Sequence, residues 1–284
     1  MAEFWLRYIE VKIGSLSFNS DNFDIEFEVE KKESEAKTAI ITIYNISQQT
    51  REQIKADDIV ELKAGYKTDY GTIFYGKVAN VDVEVRRGDE AMIIECVDST
   101  ADLNKNPIVV NYPAGTDAAQ VVRDICSYCS IPIGKIENTG IIFERPYTPE
   151  PGTPKEIIDE VVKYINGRLR AIQQEWSPRM ILSSPDFGQE YIFTIENNMA
   201  YLVKGSKLVY EAEVIEAETG LLEVNKVKDE DKDKFRIKTL LRWRIQVGRP
   251  VVINSSKLSG QFDVFACKHL CKNKSYYTEF EVVP

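Results

Sequence analysis

Few residues in this chain can do chemistry, and their spacing argues against it. Among 284 residues there is one histidine, His269. Any Ser–His–Asp or Cys–His system would have to use it. Cys267, His269 and Cys271 alternate, so on a strand their side chains share one face. With Cys126 and Cys129, a Cys-x-x-Cys pair, they offer sulfur and nitrogen ligands of the kind zinc takes. Yet Cys126 and Cys129 fall on the apolar stripe of an amphipathic helix, where thiols serve as core residues. Asp229, Asp231 and Asp233 open like a calcium loop, but Lys234 and Leu240 stand where that loop needs Gly and Glu. No phosphate-cradling Gly-x-x-x-x-Gly-Lys-Ser/Thr and no Gly-x-Ser-x-Gly nucleophile turn occurs. Acids are so abundant that no pair stands out for glycoside hydrolysis. The expectation is a chain with no catalytic, cofactor-binding or metal-ligating residue, no cofactor, and no enzymatic activity.

Bulk properties narrow the class. At 284 residues and 43% hydrophobic content, two or three domains of about 100–200 residues are expected. The net charge is −9, and no basic patch of the kind that grips phosphates is visible. Arg86-Arg87 and Arg242-Trp243-Arg244 are short and lie beside acids. Specific nucleic-acid binding is therefore not expected. An acidic wall suits a conduit past which DNA slides, although acidity also simply aids solubility. No apolar run approaches the ~20 residues of a membrane span, and the first residues lack a signal-peptide plan, so cytoplasmic synthesis and folding are expected. Five cysteines without a secretory signal imply free thiols.

The elements that must position these residues read as β, then α/β, then β. In residues 1–100, Ile25, Phe27 and Val29 alternate with Glu26, Glu28 and Glu30. Val81, Val83 and Val85 alternate with Asp82, Glu84 and Arg86. Each pattern places one strand face in a core and the other in water. Asp69-Tyr70-Gly71 and Arg87-Gly88-Asp89 are turn signals, and Ser47 can cap a short helix over residues 50–54. In residues 101–206 helical spacing links Ala118, Val121, Val122, Ile125 and Cys126, with Thr116 as its cap. Thr153-Pro154-Lys155-Glu156 forms a capping box for a second helix whose stripe runs from Ile157 to Leu169. Four prolines make residues 145–154 an extended connector. Strands are expected over 180–182, 191–195 and 200–204, with Asn197-Asn198 as a hairpin turn. In residues 207–284, Trp243, Ile245 and Val247 alternate with Arg244 and Gln246, and Phe280 and Val282 alternate with Glu279 and Glu281. The charge run over 229–234 reads as a solvated loop tip. No internal repeat is visible. The fold class is a β-rich α+β protein with β-domains over 1–100 and 207–284, separated by an α/β segment over 101–206.

Two terminal stretches carry a resemblance. Ile41-Thr42-Ile43-Tyr44-Asn45-Ile46-Ser47, then Thr50-Arg51, Ala64-Gly65-Tyr66 and Ile73-Phe74-Tyr75-Gly76, resemble the first β-domain of phage-type tail baseplate hub proteins. Thr219-Gly220-Leu221-Leu222, Gly248-Arg249-Pro250-Val251 and Leu258-Ser259-Gly260-Gln261-Phe262-Asp263 resemble the second. Two departures stand out: His269 is followed by Leu270-Cys271-Lys272 where hubs have Gly-Asp, and Ile46 replaces Leu. The middle third fits by layout alone.

The resemblance implies two tube-like β-domains and a structural subunit that assembles as a homotrimer. It implies a pseudo-sixfold ring joining the tail tube, or a distal tail protein, to the central spike, and lining the conduit for DNA or effectors. Contact with the tape-measure protein would follow from that position. So would a place in the baseplate of a virion tail or injection particle, assembled in the host cytoplasm. Tyr44, Tyr66, Phe74 and Trp243 are the interface candidates. Another tail adaptor, such as a distal tail or spike-carrier protein, is the alternative. A tail-associated cell-wall hydrolase is a weaker one.

Overall fold

The computed structural model describes residues 5–32, 35–86, 88–176, 189–196, 198–204, 211–228 and 233–283. The chain divides into two compact units, residues 1–98 with 210–284, and residues 99–209. No helix among the described residues is long and apolar enough to cross a membrane.

The first unit begins with strands β1 (Arg7–Ile13), β2 (Leu16–Asn19), β3 (Ile25–Lys32) and β4 (Thr38–Tyr44). Helix α1 (Gln48–Arg51) follows, then β5 (Ile59–Tyr66), β6 (Asp69–Arg86) and β7 (Asp89–Val97). Period-two alternation holds on β3, where Ile25, Phe27 and Val29 are buried and the glutamates between them face outward. Ser47 caps α1, as its sequence position suggests, by accepting the Thr50 N–H at 3.2 Å. The helix itself is one turn over 48–51 rather than 50–54. Two readings in this stretch change. Asp69-Tyr70-Gly71 is not a turn but the start of β6, because Lys67 and Thr68 make the reversal. Val83 and Val85 do not enter a core; they are 46% and 74% exposed, since β6 outruns its neighbour β5.

The second unit holds α2 (Thr100–Leu103), α3 (Ala118–Tyr128), β8 (Ile133–Ile136), α4 (Pro154–Trp176), β9 (Tyr191–Glu196) and β10 (Met199–Lys204). Strands β8, β10 and β9 form a small sheet in that order. The stripes of α3 and α4, among them Val121, Val122, Ile125, Ile158, Val161 and Ile165, share one core with Ala200 and Leu202 of β10. The capping box is present: the Thr153 N–H donates to Glu156 Oε2 at 2.7 Å, and the Glu156 N–H to Thr153 Oγ1 at 3.3 Å. The cap of α3 is Asp117, not Thr116. Asp117 accepts the Ala119 N–H at 2.7 Å, while the Thr116 hydroxyl donates to the Pro113 carbonyl. The proline-rich connector is extended, bridging back through Tyr147 to Tyr112 and Gly152 to Ile108. Asn198, at φ 65°, turns between β9 and β10. The strand expected over 180–182, Arg87, Asn197 and most of the charge run over 229–234 lie outside the described residues.

The chain then returns to the first unit with β11 (Glu213–Glu216), β12 (Leu221–Lys228), β13 (Asp233–Leu240), β14 (Pro250–Asn254), β15 (Ser259–Lys272) and β16 (Ser275–Val282). The alternation at 243–247 is not a strand. Ile245 N–H bonds back to Arg242 and Arg249 N–H to Gln246, so two successive turns join β13 to β14 while Ile245 stays buried.

The thirteen strands of this unit form one hydrogen-bonded network that repeats itself. One half runs β3, β4, β7, β6, β5, β1, and the other runs β12, β13, β16, β15, β14, β11 in the same order. Register slips where β6 meets β7, between Val78 and Asn80, and at the matching place on β15, between Val264 and Ala266. The halves differ at one margin: β1 lies antiparallel to β5, whereas β11 lies parallel to β14. The repeat is invisible in the sequence because matched positions share strand pairing, not residue type. Each half has its own apolar core, one centred on Ile41, Leu62 and Phe74 and one on Ile237, Ile253 and Phe280. Antiparallel pairing of β15 with β3 joins them.

Candidate assembly surface

Cross-strand partners in a ladder point to one face of the sheet. Following the register outward from β3 therefore maps a single outer face. Glu28 and Glu30 lie opposite Leu270 and Lys268 of β15, and Lys268 lies opposite Glu279 of β16. Glu279 and Glu281 lie opposite Lys238 and Arg236 of β13. In the other direction Glu28 faces Ile40 of β4, which faces Glu95 of β7, and Ile93 faces Asp82 of β6. The result is a ribbon rich in carboxylates that crosses both halves. Lys268 pairs with Glu28 and, at 2.6 Å, with Glu30; its hydrogen bond holds the Glu30 carboxyl below the usual carboxylate range. Arg236 pairs with Glu281 at 2.8 Å. Exposed pairs of this kind are worth at most about 1 kcal/mol each. Their effect is to fix side-chain directions on a face that the core does not need.

The opposite face carries the seam between the halves. Cys267, His269 and Cys271 all point inward, as their alternation requires, and all are buried. His269 Nδ1 lies 2.9 Å from Thr278 Oγ1, and its Nε2 lies 3.5 Å from Cys267 Sγ. Burial, with the nearby Lys37 charge, pulls the imidazole down to about 3. Burial pushes the Cys267 thiol up to about 12 and pulls the Lys37 ammonium down to about 8. A neutral imidazole beside a protonated thiol makes neither an activated nucleophile nor a thiolate ligand. Among the described residues no group of three or more His, Cys, Asp or Glu side chains is placed to hold a metal ion.

Tyr276 locks the seam one strand further on. Its hydroxyl accepts the Gly65 N–H at 2.8 Å and lies 2.7 Å from the Gly65 carbonyl. Gly65 has a φ of 154°, and a Cβ there would meet the Asp69 carbonyl at 2.4 Å, so glycine alone fits this crossing. Nothing in residue spacing pointed to this contact. The Ala64-Gly65-Tyr66 motif marks the position without saying what it meets.

The four aromatic candidates take different places. Phe74 is wholly buried, and Tyr66 is buried edge-on against the Tyr276 ring at 5.7 Å. Tyr44 is half-buried, its hydroxyl donating to Glu26 Oε2 at 3.1 Å. Trp243 is half-buried on Gly71, where a Cβ would come within 2.5 Å of the indole. Its Nε1–H donates to Asp69 Oδ1 at 2.8 Å, and Arg244 covers the ring and bonds Asp69 Oδ2 at 2.6 Å. Burial opposes ionisation of Asp69, but the bonds from Arg244 and Trp243 win and hold its carboxyl below the ordinary value.

A family model described as YQBQ-like matches residues 25–216. No curated protein matches the sequence. Among solved structures, the 43 kDa tail protein of prophage MuSo2 from Shewanella oneidensis aligns with a TM-score of 0.66 at 11% identity, over 98% of this chain and 96% of its own. The tail protein from Neisseria meningitidis MC58 aligns at 0.61 and 8% identity, over 99% and 97%. The E. coli c3393 protein is described as a type VI secretion component similar in structure to the T4 bacteriophage tail proteins gp27 and gp5. It aligns at 0.59 and 9% identity, over 96% of this chain and 76% of its own. The chain belongs to the YQBQ-like family, and it has the fold of these tail proteins along almost its whole length.

Proposed function

We propose that this YQBQ-like protein is a non-enzymatic hub subunit of a phage-type tail baseplate. Three copies form a ring that joins the tail tube, or a distal tail protein, to the central spike. The observation that carries this reading is the repeated strand order. One chain supplies two topologically matched halves, so a closed trimer presents six, which reconciles a threefold spike with a sixfold tube. In this reading the halves are the two tube-like β-domains over 1–100 and 207–284. The α/β middle over 101–206 is inserted in sequence between them.

The carboxylate-rich ribbon then lines the conduit for DNA or effectors, repelling phosphates rather than binding them. Of the aromatic candidates, Tyr44 and Trp243 keep surface to offer a neighbour; Tyr66 and Phe74 act from beneath by holding the strands that carry the interface. Contact with the tape-measure protein, a place in the tail baseplate or injection particle, and assembly in the host cytoplasm follow from the same role. Native mass measurement with negative-stain imaging of the purified chain tests it. A trimer with six lobes is expected, and a ring of six identical chains overturns it.

A further inference from the structure

Among the described residues of the first unit, β2, β11, β12 and the end of β6 each have a strand on one side only, and two of these edges match each other. β5 accompanies β6 only as far as Lys77, so residues 80–86 of β6 pair with β7 alone. β12 pairs with β13 alone. An open edge of this length, with valines beside it, is a template for a further strand.

The repeat says which strand belongs there. β6 corresponds to β15 and β12 to β3, and within the chain β15 pairs with β3. Counting from the matched register slips, Asp82 corresponds to Lys268, Val83 to His269 and Val85 to Cys271. Where β3 lies alongside, His269 is 1% and Cys271 8% exposed; with no strand alongside, Val83 is 46% and Val85 74% exposed. The same position in the same topology is core in one half and bare in the other.

We infer that residues 80–86 of β6 pair antiparallel with β12 of a second copy of this chain. Transferring the β15–β3 register sets Val83 opposite Lys226 of the second copy and Glu84 opposite Asn225. This rests on the ring reading and specifies its joint. The parity of the two edges agrees. The Val83 N–H is taken by the carboxylate of its own neighbour Asp82 at 2.8 Å, so it points away from β7. The Val224 carbonyl, two residues from Lys226, is taken by Lys257 Nζ at 3.0 Å rather than by a strand. Both edges thus use side chains to occupy backbone groups that a partner strand would take, and Val83 and Lys226 fall on outward-bonding positions of their strands. Each chain has one edge of each kind, so the contact is head-to-tail and closes into a ring or runs on as a filament.

The test is mild oxidation of the full-length chain carrying Glu84→Cys and Asn225→Cys, followed on non-reducing gels and by native mass. Opposed Cα atoms in a ladder lie within disulfide reach; a pair two residues out of register lies about 8 Å apart and does not. A covalent ladder ending at the trimer is expected. It should be absent from each single variant and from Glu84→Cys with Val227→Cys. A native trimer that fails to cross-link at the matched pair overturns the pairing and leaves the ring. A chain that stays monomeric overturns both. The double variant Val83→Lys, Val85→Lys changes side chains already exposed in the subunit, so it should keep its circular dichroism and lose the trimer. A trimer that survives it also overturns the pairing.

Discussion

Removing one oxygen from Tyr276 tests whether the seam holds the two halves as described. In Tyr276→Phe the ring remains, and with it the edge contacts to Phe27 at 6.3 Å and Tyr66 at 5.7 Å. Only the hydroxyl is lost, leaving the Gly65 N–H without its 2.8 Å acceptor at a buried site. The Gly65 and Tyr8 carbonyls, 2.7 and 3.2 Å away, lose a donor, but a carbonyl tolerates this better than an N–H does. One orphaned buried donor costs about 1–3 kcal/mol, so a loss of about 2 kcal/mol is expected. For a unit of this size that is a fall of about 4–8 °C in Tm. The control is Tyr277→Phe, one residue along on the outer face, where the ring lies under Lys238 and the change should stay within about 0.5 kcal/mol. Urea and thermal unfolding of both variants give the comparison. A Tyr276→Phe loss no greater than that of Tyr277→Phe would falsify the claim that this hydroxyl ties β16 to β5.

Four other outcomes are expected. His269 titrates near 3 in the folded chain against 6.5 unfolded, so between those values the unfolded state binds the extra proton and stability falls as pH falls. His269→Gln should flatten that part of the stability–pH curve measured in urea. Lys37, drawn from 10.5 to about 8, works in the same direction over a higher window: the folded chain releases its proton first, so stability rises with pH from about 8 to 10.5, and Lys37→Met should abolish that rise. Gly71→Ala places a Cβ within 2.5 Å of the Trp243 ring, which must move off Asp69; a loss of about 1–3 kcal/mol with a red-shifted tryptophan emission checks this. Lys268→Ala removes a part-buried pair to Glu28 and an exposed one to Glu30, and should cost about 1 kcal/mol by the same unfolding assay.

Strands and helices were legible wherever one face had to be buried. The alternation on β3, the alternating Phe280 and Val282 of β16, and the Thr153–Glu156 box each follow from local chemistry that the packing does not contradict. The errors fall where a long-range contact sets the conformation or where local turn hydrogen bonds override an alternating pattern. Gly71 looks like a turn residue, but it is glycine because an indole from residue 243 lies on it. Trp243, Ile245 and Val247 look like a strand face, but hydrogen bonds within 242–249 fold them into turns. The seam could not be read at all, because Tyr276 meets Gly65 across 211 positions of sequence. The terminal motifs did mark the right places, since Gly65 and Gly76 are positions where a Cβ would strike backbone at 2.4 Å.

Val81, Val83 and Val85 show why one such error is informative. Their alternation with Asp82, Glu84 and Arg86 has the pattern of a strand with one buried face, and in the subunit that face is bare at Val83 and Val85. The pattern and the structure disagree only if the subunit is the whole molecule. In the matched half, β3 supplies the missing cover, and Cys267, His269 and Cys271 are core. A period-two pattern records the environment in which the strand works, and under the proposed β6–β12 pairing that environment includes another copy for one strand of this chain. The open valines are then evidence about assembly that was present in the sequence from the start, recorded as an apparent core face with no core to face.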